Sequence, residues 1–184
     1  MRILVAGASG FIGRAVALTL SEAGHYVTGT YLTHRVWLPW PITMMQVNLT
    51  EAEPVQQLIQ MRQPQAVVYC ASRHKGGTPQ ERSMGRIDAL KVVSNATPGL
   101  PFLYLSSRKV ETDPHSPYSD AQLCCEYLVE RREPRGTVLR LPAIYGPMRR
   151  PWLRLVAPFA RGRVQSIDTL VKEIMAWIPS SSVA

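Results

Sequence analysis

Short apolar runs alternate with amphipathic stretches along most of the chain. RILVA (2–6), HYVTGTY (25–31), TMMQV (43–47), QAVVYCA (65–71), PFLYLSS (101–107) and GTVLRLP (136–142) are bounded by Gly, Pro or polar residues. They predict six strands, most of them buried on both faces. Between them the period lengthens. RAVALTLSEAG brings Ala15, Val16, Leu18 and Leu20 to one helical face and places Gly24 at a C-cap. From Thr50, with Glu53 three residues on as in a capping box, Val55, Leu58, Ile59 and Met61 predict a helix that stops before Pro64. Residues 72–86 read as a polar loop, IDALKVVSNA (87–96) as a helix, and SPYSDAQLCCEYLVERR (116–132) as another. Near the end Ser166 caps a helix whose apolar face is Ile167, Leu170, Val171, Ile174 and Ile178. No internal repeat is present, and the tail PSSSVA is expected to be disordered. Strands alternating with helices predict an α/β fold, a doubly wound parallel sheet in the order 3-2-1-4-5-6.

Composition narrows this to one globular domain of 184 residues, 46% apolar. No apolar run approaches the ~18–20 residues of a membrane span. The opening MRILVAGASG enters a strand at once and lacks the pattern of a secretory leader, so a cytoplasmic protein is expected. Three cysteines, with Cys124 and Cys125 adjacent, make no disulfide framework, and no Cys/His spacing suggests a metal. The formal charge of +8 favours anionic partners. Part of it is gathered at arginines 149, 150, 154, 161 and 163, either an anion site or a solvated or interface segment. No helix-turn-helix, zinc finger or RNA-binding signature accompanies the charge, so nucleic acid is not an expected partner.

The most specific signal is GASGFIG, with Gly7, Gly10 and Gly13 directly between the first strand and the first helix. In that setting Gly7 permits a tight turn, Gly10 lets backbone approach a pyrophosphate, and Gly13 lets helix and strand pack closely. The helix start offers N–H groups and a partial positive charge to phosphate. The alternative is a glycine-rich turn without a ligand.

MRILVAGASGFIGRAV, VNLTEAEPVQQLIQMRQPQAVVYCAS, FLYLSSRKVE and VLRLPAIYGP resemble the extended branch of the short-chain dehydrogenases/reductases. That branch holds the NAD-dependent epimerases and dehydratases. Within it the likeness is to dTDP-4-dehydrorhamnose reductase, and to the regulatory subunit of methionine adenosyltransferase in the same places. The likeness covers residues 1–148, a Rossmann domain, and then thins. It implies that the substrate domain is largely absent, with residues 149–184 forming an abbreviated segment whose one helix packs back on the sheet.

The resemblance implies a role for each matching residue. Gly7, Gly10, Phe11, Ile12 and Gly13 would hold the pyrophosphate. Asn48 and Leu49 would face the adenine, and Cys70, Ala71 and Ser72 the middle of the cofactor. Pro142, Ala143 and Ile144 would flank the nicotinamide. Tyr118 matches the catalytic tyrosine, and Ser107 the hydroxyl residue that polarises the substrate carbonyl. NAD-preferring members carry an acidic residue at the end of strand two. Here Tyr31 stands there, with Thr33, His34 and Arg35 just beyond and Arg14 after the third glycine. That favours NADP(H), with NAD(H) the alternative, unless His34 and Arg35 are merely surface residues.

One departure concerns the chemistry directly. Four residues after the tyrosine, where the family has a lysine, stands Gln122. The lysine's charge favours tyrosinate and its ammonium binds the nicotinamide ribose; an amide replaces the hydrogen bond but not the charge. Arg73, His74, Arg108 or Lys109 are the candidate substitutes. A neutral tyrosine still donates a proton, so the leading expectation is an NADP(H)-dependent reductase of a small, anionic carbonyl substrate. The alternatives are a catalytically silent cofactor-binding regulator or scaffold, a non-redox isomerase or cyclase, or Tyr118 as an ordinary buried aromatic. The resemblance also implies a homodimer, paired through helices at about 79–97 and 116–132, with Leu123, Tyr127 and Val129 at the contact.

Overall fold

The computed structural model describes residues 1–72, 77–134, 136–146 and 164–178. Six strands, β1 (Arg2–Ala6), β2 (Tyr26–Tyr31), β3 (Thr43–Gln46), β4 (Ala66–Tyr69), β5 (Phe102–Ser107) and β6 (Thr137–Leu141), form one sheet. Its order is β3-β2-β1-β4-β5-β6, and every pairing is parallel. This is the doubly wound arrangement that the alternation predicts. The helices are α1 (Phe11–Glu22), α2 (Ala52–Arg62), α3 (Pro79–Ala96), the short turn α4 (Lys109–Thr112), α5 (Pro117–Glu130) and α6 (Ile167–Trp177). No helix among the described residues is long and apolar enough to cross a membrane.

Alternation along each strand divides the core between the two faces of the sheet. Ile3, Val5, Val27, Val68, Leu103 and Leu105 pack with Val16, Ala17 and Leu20 of α1 and Leu170, Val171 and Ile174 of α6. Leu4, Ala6, Val67, Tyr69, Phe102 and Tyr104 pack with Val55 and Leu58 of α2, Leu90 and Val93 of α3, and Cys125 and Val129 of α5. Each side chain of the Leu, Ile or Val type so buried stabilises the fold by about 1.5–3 kcal/mol. Helix α1 ends as predicted: Gly24 takes φ +85. The His25 N–H reaches the Leu20 carbonyl and the Gly24 N–H that of Ser21, both at 3.0 Å, a Schellman closure. Ser166 caps α6, accepting from the Thr169 N–H.

Four local expectations fail, each for an identifiable reason. Glu51, not Thr50, is the N-cap of α2, and no side chain caps it. The Thr50 hydroxyl is drawn to Asn48 Oδ1 at 2.9 Å instead, the local competition that short polar side chains offer a helix start. Met61 is 67% exposed, beyond the edge of the buried face set by Val55 and Leu58. Helix α3 begins at Pro79 instead of 87, because Thr78 and Glu81 form a true capping box with Pro at the first helical position. Its first turns carry little apolar periodicity, so the hydrophobic pattern alone starts too late. Finally, β7 (Ala143–Tyr145) and β8 (Val164–Ser166) form a separate two-stranded parallel sheet that the periodicity does not predict. Arg73, His74, the arginines at 149–163 and the tail from 179 lie outside the described residues.

Candidate cofactor and catalytic site

At the carboxyl end of β1 the chain turns through Gly7 at φ +84. The Gly7 N–H is held by Thr30 Oγ1 of β2 at 2.9 Å, and the Gly10 N–H closes on the Gly7 carbonyl at 3.1 Å. The glycines differ in what constrains them. A Cβ on Gly13 would stand 2.3 Å from the Gly7 carbonyl oxygen, and one on Gly7 2.7 Å from Ala71 Cα, so both are fixed by packing against backbone. Among the described residues, a Cβ on Gly10 would meet only the Gly7 oxygen, at 3.3 Å. Gly10 is exposed and extended, at φ −75 and ψ 164. Packing therefore constrains Gly10 less than Gly7 or Gly13, since a shift of a few tenths of an ångström would admit a Cβ there. No side chain caps α1 and no acidic residue sits in its first turn, which leaves that helix start suited to an anion. Gly29 of β2, which sequence reasoning passed over, completes the packing: a Cβ there would lie 2.5 Å from Ala8 Cβ.

Beside this loop run the ends of β4 and β2. Cys70, Ala71 and Ser72 are half-buried, and the Ser72 hydroxyl oxygen is buried without a protein partner among the described residues. Such an orphaned hydroxyl is what an oxygen of a bound dinucleotide would satisfy. With the Gly10 cradle, it makes the site fit that cofactor. Burial pushes the Cys70 thiol up to about 12, which leaves it protonated and unreactive. At the end of β2, Tyr31 is half-buried, as is Arg14, while Thr33, His34 and Arg35 are exposed. The Asn48 side chain is committed to its own turn, donating to Glu51 Oε1 at 2.6 Å and accepting the Thr50 N–H and hydroxyl. Leu49 is buried, as is Ile144, with Pro142 and Ala143 half-buried beside it.

Tyr118 opens α5, just after Pro117, with Ser116 as N-cap accepting from the Ser119 N–H. Ser107 closes β5. Lys109 spans the two: its N–H donates to Ser107 Oγ at 3.2 Å, its carbonyl accepts from the Ser119 hydroxyl at 3.3 Å, and its ammonium lies 5.8 Å from the Tyr118 ring centre. Gln122 is only 2% exposed and is turned inward. Its Nε2 donates to the Tyr118 phenol oxygen at 2.9 Å, and its Oε1 accepts from the Tyr104 hydroxyl. Burial pushes the Tyr104 phenol well above its ordinary range, with Cys125 adding to the effect and Arg86 opposing it. Tyr104 therefore stays a donor, which fixes the orientation of the amide. The oxygen faces Tyr104, and an N–H faces Tyr118.

Sequence reasoning missed three members of this cluster. Tyr104 lies within an apolar strand run and reads as core. Glu126 is buried, accepting the Ser106 hydroxyl at 2.5 Å and Arg140 through Nε at 3.0 Å and NH2 at 2.7 Å. These bonds raise the Arg140 guanidinium above its ordinary value and occupy the buried Glu126 in an ion pair. Arg86 of α3 is 6% exposed, with its guanidinium carbon 4.8 Å from the Tyr118 ring centre. Hydrophobic periodicity left it in a polar loop, and the helix that the resemblance implies at about 79–97 gave no cue to its burial.

A model of the NAD dependent epimerase/dehydratase family matches residues 3–170. The chain is 28% identical over 169 residues to the "Probable low-salt glycan biosynthesis reductase Agl14" of Haloferax volcanii, covering 79% of this chain and 54% of that protein. It is 28% identical over 163 residues to methionine adenosyltransferase 2 subunit beta of Rattus norvegicus, covering 79% and 47%. The chain thus spans about half the length of these curated relatives. Solved structures share the fold. A UDP-glucose 4-epimerase of Thermotoga maritima with UDP-glucose superposes at TM-score 0.82 and 22% identity, over 97% of this chain and 74% of that one. The Bordetella bronchiseptica enzyme WbmH in complex with NAD+ does so at 0.76 and 18%, over 96% and 71%.

Proposed function

Because the chain belongs to the NAD dependent epimerase/dehydratase family, we propose that it binds NADP(H) and reduces a small, anionic carbonyl compound. Tyr118 is the proton donor and Ser107 the hydrogen-bond donor to the carbonyl oxygen. One observation carries the assignment. The Gln122 amide donates to the Tyr118 oxygen, so the phenol's own proton is left to point at a substrate. Gly7, Gly10, Phe11, Ile12 and Gly13 hold the pyrophosphate, Cys70 to Ser72 the middle of the cofactor, Asn48 and Leu49 the adenine end, and Pro142 and Ile144 the nicotinamide. The nicotinamide supplies the hydride when bound. Tyr118 delivers its proton to the carbonyl oxygen, and the Gln122 N–H stabilises the phenol oxygen left behind.

A second reading, a cofactor-binding regulator without turnover, is favoured by the glutamine at 122 and by the likeness to the methionine adenosyltransferase subunit. NADPH oxidation with a panel of small keto acids and aldehydes separates the two: consumption coupled to alcohol product supports the reductase, and tight binding without turnover supports the regulator. Non-redox isomerisation would leave NADPH unconsumed while converting the substrate.

Cofactor preference is tested apart from turnover. No carboxylate stands at the end of β2 to repel a 2′-phosphate, Arg35 follows four residues on, and Arg14 stands just after the third glycine. Titration calorimetry is expected to give tighter binding of NADPH than NADH; equal or weaker binding contradicts the assignment.

The homodimer is proposed on a corrected surface. Val129 is fully buried in the core, whereas Leu123 is 39%, Tyr127 55% and Met84 56% exposed on α5 and α3, which pack side by side. An isologous contact through these residues would cover them. Light scattering at micromolar concentration is expected to report twice the chain mass, and a monomer would refute the contact.

A further inference from the structure

Arg86 is a charged side chain buried from water, and such burial is costly unless the charge does something for its surroundings. Its Nε is buried without a hydrogen-bond partner among the described residues. Its guanidinium lies against the face of the Tyr118 ring at 4.8 Å, the geometry of a cation–π contact. The neighbours are Tyr69 and Tyr104 from β4 and β5 and Cys125 from α5, all three of which its charge favours in their ionised forms. Among the described residues the other cation close to the ring is Lys109, 63% exposed and 4.0 Å from Asp113, so solvent and its partner screen it. Glu126 is already held by Arg140. Gln122 touches the same tyrosines, donating to Tyr118 and accepting from Tyr104.

We infer that Arg86 is the buried cation of this tyrosine site, holding from α3 the place that a lysine at position 122 would hold from α5. The site between α3, α5 and the sheet takes one buried positive charge and not two. The neutral residue at 122 is thus the counterpart of the charged one at 86. In the proposed reductase Arg86 is a positioning residue: it clamps the ring of Tyr118 from the opposite helix. This role rests on reading Tyr118 as the site tyrosine. The test does not require turnover, so a protein without reductase activity would still reveal or refute the charge exchange.

The experiment is a double-mutant cycle on the full chain, read by chemical denaturation. Gln122→Lys and Arg86→Met are each expected to destabilise. Combined, they should be more stable than additivity allows by about tenfold or more in the unfolding constant, the scale of coupling between interacting groups. Arg86→Lys with Gln122→Lys keeps both charges and should show no such gain, which separates charge from packing. A Gln122→Lys chain that folds only in the Arg86→Met background gives the same support. Additive single effects, equal gain in the Arg86→Lys background, or failure of Gln122→Lys to fold in either background would overturn the exchange.

Discussion

Gly10→Val is expected to fold normally and lose dinucleotide binding, whereas Gly13→Ala is expected to lose stability. Gly10 is the N-cap of α1 and Gly13 lies in its first turn, and the difference follows from what a Cβ would meet. At position 10 the backbone is extended, a conformation a β-branched residue adopts readily. Among the described residues the only neighbour within reach is the Gly7 oxygen, at a tight 3.3 Å that a shift of a few tenths of an ångström relieves. The valine methyls would instead fill the space from which backbone N–H groups reach a pyrophosphate. Each charge-assisted hydrogen bond lost is worth about 1.5–3 kcal/mol, roughly 10- to 150-fold in affinity. At position 13 the added carbon would sit 2.3 Å from a backbone oxygen, and the loop itself must move. Overpacking of this kind costs about 1–3 kcal/mol or more, and the upper end lowers Tm by roughly 6–12 °C in a chain of this size. Calorimetric titration and thermal unfolding of both variants check it. Wild-type affinity in Gly10→Val would remove the phosphate site, and wild-type Tm in Gly13→Ala would contradict the packing account.

Tyr118→Phe is expected to cut turnover by ~10²–10⁴-fold, the scale for losing a positioned acid, while NADPH affinity stays near that of wild type. The substitution also strips the Gln122 N–H of the acceptor that it has at 2.9 Å. A buried donor left unmet costs about 1–3 kcal/mol, so a lowered denaturation midpoint should accompany the lost rate. Ser107→Ala should reduce the rate without that loss of stability, because Ser107 lies half-buried at a strand end and, among the described residues, supports only the Lys109 N–H. Unchanged turnover in Tyr118→Phe would rule out the proton donor.

The sheet was legible because its strands are short apolar runs that, except between β2 and β3, are joined through helices, and a parallel order follows from that pattern with little freedom. The glycine turn after β1 was legible for a related reason: Gly7 and Gly13 each sit where an added Cβ would strike backbone. What escaped was decided by side-chain hydrogen bonds. The cap of α2 fell to Glu51 because Thr50 found Asn48. The start of α3 was written in Thr78, Pro79 and Glu81, but hydrophobic periodicity does not register caps. At the candidate site, Tyr118, Ser107 and Gln122 could be placed by resemblance. Tyr104 and Arg86 could not, since a tyrosine in a strand and an arginine in a polar stretch look ordinary until the fold buries them together. Gln122 shows the same limit from the other side. The resemblance aims it at a ribose, and the fold turns it inward between two phenols.

The most direct test of the reductase assignment is hydride transfer itself. Protein saturated with NADPH deuterated at its transferable position is incubated with small anionic ketones and aldehydes, and the products are read by mass spectrometry. The account predicts deuterium on the carbinol carbon of at least one product with the wild type, and its near-disappearance with Tyr118→Phe. Protein shown by titration to be saturated with NADPH, yet yielding no deuterated product across the panel, would contradict it.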